Sequence, residues 1–247
     1  MSALADATRA WVKARVSPKT LVTLRCVTRG LPRPRWGNFR RVQPFSTHFG
    51  FDRGTPVDRY YLRQFLEQHR AAITGRVLEV QLSGYTEQYG HDLTASHTVD
   101  IVTTANPSPS YHVDLAHSDG VIPDASYDCF LMPNTLSFLR DLEGCLRQAL
   151  RVVKPGGIIL ASSGCHIPLT PDTPDYWHLS GDGWREVTSR VWPGCEVEVT
   201  QHGKCLAATA ALMGLAAEEL TPDELDAQDP RYPVQVTIAC RTPAAIS

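Results

Sequence analysis

Between Leu136 and Ala161 the periodicity of the chain changes within a few residues. Leu139, Leu142, Leu146, Leu150 and Val153 recur at spacings of three and four, which predicts a helix with one apolar face over Leu136 to Val153. Pro155 and the pair Gly156-Gly157 stop it. The run Ile158-Ile159-Leu160-Ala161 that follows has no polar face and reads as a buried strand. A helix feeding directly into such a strand is the unit of a sheet with helices packed on it.

The rest of the chain repeats that alternation. Thr55-Pro56 precedes a helical pattern from Val57 to Arg70 carried by Val57, Tyr60, Tyr61, Phe65 and Leu66. Strands are expected at Arg76 to Val80, Leu93 to Ser96, Tyr111 to Leu115 and Tyr127 to Met132. Two further strands, Cys195 to Gln201 and Pro233 to Arg241, flank a helix at Lys204 to Glu219 and suit an antiparallel finish at one sheet edge. Together these predict an α/β fold: a doubly wound, Rossmann-like, mostly parallel seven-stranded sheet with helices on both faces and an antiparallel last strand.

With 247 residues, 43% of them hydrophobic, the chain can bury one large core. The expected division is a basic N-terminal arm, 1–48, and one α/β domain, 49–247. No apolar run approaches the roughly 20 residues that cross a bilayer, and a soluble, cytoplasmic protein is expected. Seven cysteines, odd in number and never in a CxxC pair, argue against a disulfide framework or structural zinc; they read as small buried hydrophobes. His91, His97, His112 and His117 lack metal-ligand spacing, so no metal is expected.

Charge is distributed unevenly. Up to Gln43 ten basic residues are opposed only by Asp6, so the arm carries +9 and the remainder −11 of the overall −2. Trp11, Val12, Val16, Leu21, Val22, Leu24 and Val27 suffice for one or two short helices on a surface. Docking on the acidic body or peripheral contact with an anionic membrane both suit the arm. Aromatic residues are not interleaved as a single-strand-binding surface needs, and no nucleic acid is expected.

Three ordered segments, GRVLEVQLSGYTEQYG at 75–90, VDLAHSDGVIPDASYDCFLMPNTLSFLRDL at 113–142 and RVVKPGGIILAS at 151–162, resemble the class I methyltransferases that use S-adenosylmethionine. The flanking Phe49 to Pro56 and Asp175 to Trp177 look like members found beside polysaccharide and natural-product pathways. The resemblance implies S-adenosylmethionine as cofactor, held by Glu79, Val80, Ser83, Gly84, Tyr85, Thr98, Asp114, Leu115 and Asn134. In the family an acid in strand one organises the turn, which Glu79 matches. An acid after strand three faces the adenine amino group, which Asp114 matches. The acid for the ribose hydroxyls is expected near His97-Thr98, with Asp100 the nearest carboxylate and farther along the loop. The first turn keeps one glycine, Gly84, where such turns often have two or three, and Gly84 is expected to relieve it.

Methyl transfer to a hydroxyl needs alignment and removal of a proton. The segment GCHIPLTPDTPDYWHLSGDGW, 164–184, holds His166, Asp172, Asp175 and His178 among Tyr176, Trp177 and Trp184. His166, His178 and Asp175 are the catalytic candidates. The expected acceptor is a small molecule or saccharide in a biosynthetic step, methylated on oxygen; oligomerisation stays open. The alternative is a methyltransferase-fold protein that no longer transfers methyl groups and serves as a scaffold, partner subunit or non-methylating catalyst.

Overall fold

The computed structural model of the chain describes residues 16–32, 35–101, 106–170 and 173–244. Contacts divide the chain between Val42 and Gln43, ahead of the expected boundary at 48 and 49. Asp172 and the arm residues before Val16 lie outside the described residues.

In the arm, α1 (Pro18–Thr28) starts with Ser17 as its cap, Ser17 Oγ accepting from Thr20 N, and with proline in its first turn. It buries no residue. Val22, Leu24, Val27, Leu31, Trp36 and Val42 are exposed beside Lys19, Arg25, Arg29, Arg40 and Arg41.

The body is a seven-stranded sheet in the order β3-β2-β1-β4-β5-β7-β6. Its strands are β1 (Gly75–Val80), β2 (Leu93–Asp100), β3 (Tyr111–His112), β4 (Tyr127–Met132), β5 (Val153–Gly164), β6 (Glu196–His202) and β7 (Gln235–Arg241). All neighbours pair parallel except β7, which is antiparallel to both β5 and β6. The last strand is therefore inserted beside β5, and β6 forms the edge.

Residue alternation in the central strands sorts the core onto two faces. Leu78, Val80, Phe130, Met132, Ile159 and Ala161 join one cluster, covered by α4 (Leu142–Val152) and α5 (Gly181–Val191). Val77, Cys129, Leu131, Ile158 and Leu160 face the other side and pack on α2 (Val57–Gln68), with Tyr85 and Tyr89 of α3 (Gly84–Tyr89). A satellite cluster joins α2 to α6 (Cys205–Leu212) and to Leu225 of α7 (Pro222–Asp226). Burying the side chain of a large apolar residue such as Leu78 or Phe130 stabilises the fold by roughly 1.5–3 kcal/mol.

Several expected elements shift. The helix predicted from Leu136 begins only at Leu142, because Asp141 caps it by accepting from Gly144 N at 2.9 Å, and a 3₁₀ turn occupies Leu136–Phe138. β2 runs on to Asp100, held by its parallel register with β1, which pairs Val80 with Val99. All seven cysteines are free thiols; Cys129, Cys145 and Cys240 are buried, but Cys205 is exposed at the start of α6.

Candidate functional site

β1 pairs with β2 on one side and β4 on the other, so the chain's strand order reverses between β1 and β4, and ligands of such sheets sit at the carboxyl ends there. The turn after β1 lies at that edge. Its left-handed residue is Gln81, with φ 69°, and not Gly84, whose backbone is helical. The strain belongs to a position that carries a side chain, and the Asn106 side chain steadies it by donating to Gln81 O at 2.6 Å. Gly84 contributes space instead: a Cβ there would meet no atom within 4 Å.

Glu79 is 1% exposed, and its carboxylate accepts from Tyr85 N (3.1 Å), Thr86 N (2.7 Å) and Thr86 Oγ1 (2.7 Å). It therefore ties β1 to the first turn of α3. Burial pushes its pKa up, against the hydrogen bonds from Thr86 and Tyr85 that pull it down. Ser83 Oγ donates to Glu87 at 2.5 Å, and Tyr85 packs beside Tyr89, where burial raises its phenol. Val80 is core.

Thr98 is not at the strand end. Its Oγ1 accepts from Asn106 Nδ2 (3.1 Å) and Ser110 N (3.2 Å), fastening the loop after β2. Asp100 is the terminal residue of β2, 1% exposed, with Oδ2 3.7 Å from His112 Nδ1. The carboxylate that closes β2 is thus at the sheet edge rather than a turn of loop beyond it.

A cleft of about 830 Å³ opens beside it, lined by Ile101, Asp114, Leu115, Phe138, Leu139 and Asp141 among others. Its size lies within the range of small-molecule sites. Asp114 caps the following 3₁₀ turn by accepting from Ala116 N and pairs with His117 at 3.1 Å, both side chains remaining exposed. Leu115 is fully buried behind it. Apolar faces from Ile101, Leu115 and Leu139 with carboxylates at Asp114 and Asp141 fit an adenosine.

A second, smaller cleft of about 130 Å³ lies at the ends of β4 and β5. Phe49, Phe51, Phe138 and Ile167 wall it, and Asp58, Arg59, Asn134 and Asp175 supply its polar atoms. Asn134, left-handed at φ 46°, directs Nδ2 to Asp58 Oδ2 at 2.6 Å, while its Oδ1 accepts from Ser162 Oγ (2.8 Å) and Gln235 Nε2 (2.5 Å). Both ends of the amide are engaged, so Asn134 serves this cleft by fixing Asp58. Asp58 was not singled out from sequence; a carboxylate beside Val57 on the buried side of α2 is the signal that was available.

The segment after β5 lies across the end of β4, with Tyr176 N donating to Ser137 O (2.7 Å) and Trp177 Nε1 to Leu139 O (2.7 Å). This brings Asp175 into the small cleft, its Oδ1 2.9 Å from His178 Nε2. His178 Nδ1 faces Cys165 O at 3.1 Å, and a carbonyl only accepts, so that nitrogen carries a proton. The facing atoms, His178 Nε2 and Asp175 Oδ1, are buried and make no hydrogen bond among the described residues. His166 stands apart, its Nδ1 bonded to Pro233 O at 2.6 Å and its side chain outside both cleft linings.

The sheet order, the antiparallel β7 and the clefts at the strand ends define a Rossmann-like methyltransferase fold. Residues 71–161 match the methyltransferase domain family, and the first turn of that segment is glycine-poor. Among solved structures it is similar to an S-adenosylmethionine-dependent methyltransferase from Mesorhizobium loti, at 16% identity over 78% of this chain and 100% of that one, with TM-score 0.50. It is also similar to the cyclase SpnF, at 14% identity over 83% of this chain and 89% of that one, with TM-score 0.51. No curated protein sequence matches the chain.

Proposed function

We propose that the protein transfers a methyl group to an oxygen of a small-molecule acceptor. The observation that carries this is the pairing of the two clefts: a large one suited to the cofactor beside a small one with a fixed carboxylate, Phe138 lining both. When bound, S-adenosylmethionine supplies an electrophilic methyl on a sulfonium whose sulfur keeps the electron pair of the broken bond. Asp100 and Asp114 are suited to its ribose and adenine, Leu115 to the flat ring face. Glu79 keeps the turn and α3 together so that the backbone near Gly84 can approach the ligand. At the acceptor side Asp58, held by Asn134, receives the proton as the hydroxyl is methylated, and Phe49 and Phe51 wall the cleft. Isothermal titration with S-adenosylmethionine and S-adenosylhomocysteine tests the cofactor assignment. Micromolar binding of both is expected, and no heat with either at high micromolar concentration overturns it.

One observation favours the second reading, a fold that no longer methylates: Asn106 already occupies Gln81 O at the turn. The cyclase SpnF carries its activity on a similar fold, which shows only that the fold admits other chemistry. Turnover distinguishes the two, since a repurposed protein would bind S-adenosylmethionine and leave its methyl group in place. The exposed apolar and basic side chains of the arm support peripheral contact with anionic lipid, for which vesicle sedimentation should show binding that weakens steeply with salt.

A further inference from the structure

We infer that the arm inserts into the interface of an anionic bilayer, with α1 in the membrane plane, Leu21, Leu24 and Val27 toward the acyl chains and Trp36 at the headgroups. Insertion builds on the arm's charge contact with lipid and is independent of methyl transfer. Charge brings the arm to the surface. Among the described residues up to Val42 there are six cations, Lys19, Arg25, Arg29, Arg35, Arg40 and Arg41, and no carboxylate. Acidic headgroups attract such a segment within a Debye length.

The helix then supplies an apolar row. Leu21, Leu24 and Val27 recur at spacings of three along α1, and Leu24 and Val27 are 50% and 62% exposed. Gly30, left-handed at φ 61°, extends it: Gly30 N donates to Val27 O (3.2 Å) and Leu31 N to Cys26 O (2.9 Å), which holds Leu31 against the last turn. At 3.6 residues per turn Lys19, Arg25 and Arg29 project about 100° or more around the axis from Leu24. Val22 alone breaks the pattern, on the cationic flank. The hydroxyls of α1 are engaged within it, Thr23 Oγ1 donating to Lys19 O (3.0 Å), Thr28 Oγ1 to Arg25 O (3.2 Å) and Thr20 Oγ1 lying 2.9 Å from Ser17 Oγ. A helix that satisfies its own polar groups leaves water at less cost.

Trp36 marks the depth. It is 57% exposed and lines, with Phe39, Arg40, Arg41 and Val42, an open groove of about 460 Å³. An indole beside guanidinium groups suits the headgroup layer, where an apolar body and a polar tip meet different surroundings. A nucleic acid would satisfy the same cations and stack on Trp36, but it offers nothing to Leu21, Leu24 and Val27. Acyl chains do.

Sedimentation of the full-length protein with vesicles of phosphatidylcholine, alone or mixed with phosphatidylserine, at low salt and at about 1 M salt tests this. Binding to the mixed vesicles is expected, weakened about ten-fold or more by high salt. The double variant Leu24→Ser, Val27→Ser keeps the charge and should still bind about ten-fold more weakly at low salt. Its melting temperature should hold, because α1 buries no residue. Brominated acyl chains should quench tryptophan fluorescence, and less so in Trp36→Phe. Undiminished binding by the double variant, or tryptophan that the brominated chains leave unquenched, overturns insertion while the charge contact stands. Absence of binding to the mixed vesicles, as when the arm docks on the acidic body, overturns both. Equal binding to phosphatidylcholine alone, or tighter binding to a mixed-sequence oligonucleotide, overturns the choice of partner. Titration with S-adenosylhomocysteine bears on methyl transfer alone, so the two readings fail separately.

Discussion

Gln81 and Asn134 end neighbouring strands at the same edge of the sheet, and both hold a left-handed backbone without being glycine. The two positions use that conformation differently. At Asn134 the residue type suits it, since asparagine tolerates this region better than most, and the side chain is spent on three partners that build the small cleft. At Gln81 the residue type works against the backbone, and a neighbour's side chain, Asn106, compensates. One turn exists for its side chain and the other for its backbone. The sheet edge thus sets an interlocked turn at Asn134 beside a turn at Gln81 that the Asn106 side chain steadies.

The largest effect should come from Asn134→Ala. It removes the donor to Asp58 and the acceptor for Ser162 and Gln235, and it leaves a β-carbon residue in left-handed backbone. A loss of about 3 kcal/mol in urea unfolding is expected. Asn134→Gly relieves the backbone and isolates the network; if it restores full stability, the side-chain bonds carry none of it and the contrast with Gln81 collapses.

Glu79 gives a pH-dependent test of the other turn. Its folded pKa is raised by burial above the ordinary 4.5. The folded state therefore holds that proton more tightly than the unfolded chain does. The associated stabilisation is complete below pH 4.5 and is lost as pH rises through the raised folded value. Glu79→Gln cannot titrate, so the wild type should lose stability relative to it on going from pH 4 to neutrality. A difference that grows in the opposite direction would mean that the bonds from Thr86 and Tyr85 outweigh burial.

Much of the scaffold was legible because burial imposes a strict pattern on it. β4, Tyr127–Met132, coincides with its expected span, since a strand covered on both sides is apolar over most of its length, here all but Asp128. α5 was missed because Gly181 and Gly183 open it inside a loop-like segment; the signal lay in Ser180 as cap and the spacing of Trp184, Thr188 and Val191. α7 carried a clearer sign, Thr221-Pro222 followed by Glu224, a reciprocal cap that both side chains complete. Local geometry was legible where one strand or turn determines it, as in the tie from Glu79 to the turn after β1. It was hidden where distant segments meet: Asn134 joins Asp58, Ser162 and Gln235, and no local pattern specifies those separations. Thr98 misled because the strand continues past it to Asp100, a boundary set by pairing with β1.

Replacing Gln81 with glycine should act oppositely to the change at Asn134. Relief of left-handed strain, partly offset by a looser unfolded chain, should stabilise the protein by up to about 1 kcal/mol. The backbone carbonyl that Asn106 holds remains, so the turn keeps its shape. Calorimetric affinity for S-adenosylhomocysteine should rise or hold. A destabilised Gln81→Gly would show that the glutamine side chain, and not its backbone, is what the turn requires.

Asp114→Ala should be the mildest for the fold. Its side chain is 67% exposed and its partner His117 79% exposed, so the pair is screened by solvent and the change in stability should stay within about 0.5 kcal/mol. The cap on Ala116 N is replaceable by water at that exposure. On the proposed cofactor assignment, in which this carboxylate accepts from the adenine amino group, binding of S-adenosylhomocysteine should nevertheless fall about ten-fold. Undiminished affinity would move the adenine away from the end of β3 and leave Asp141, on the same cleft, as the carboxylate to test next.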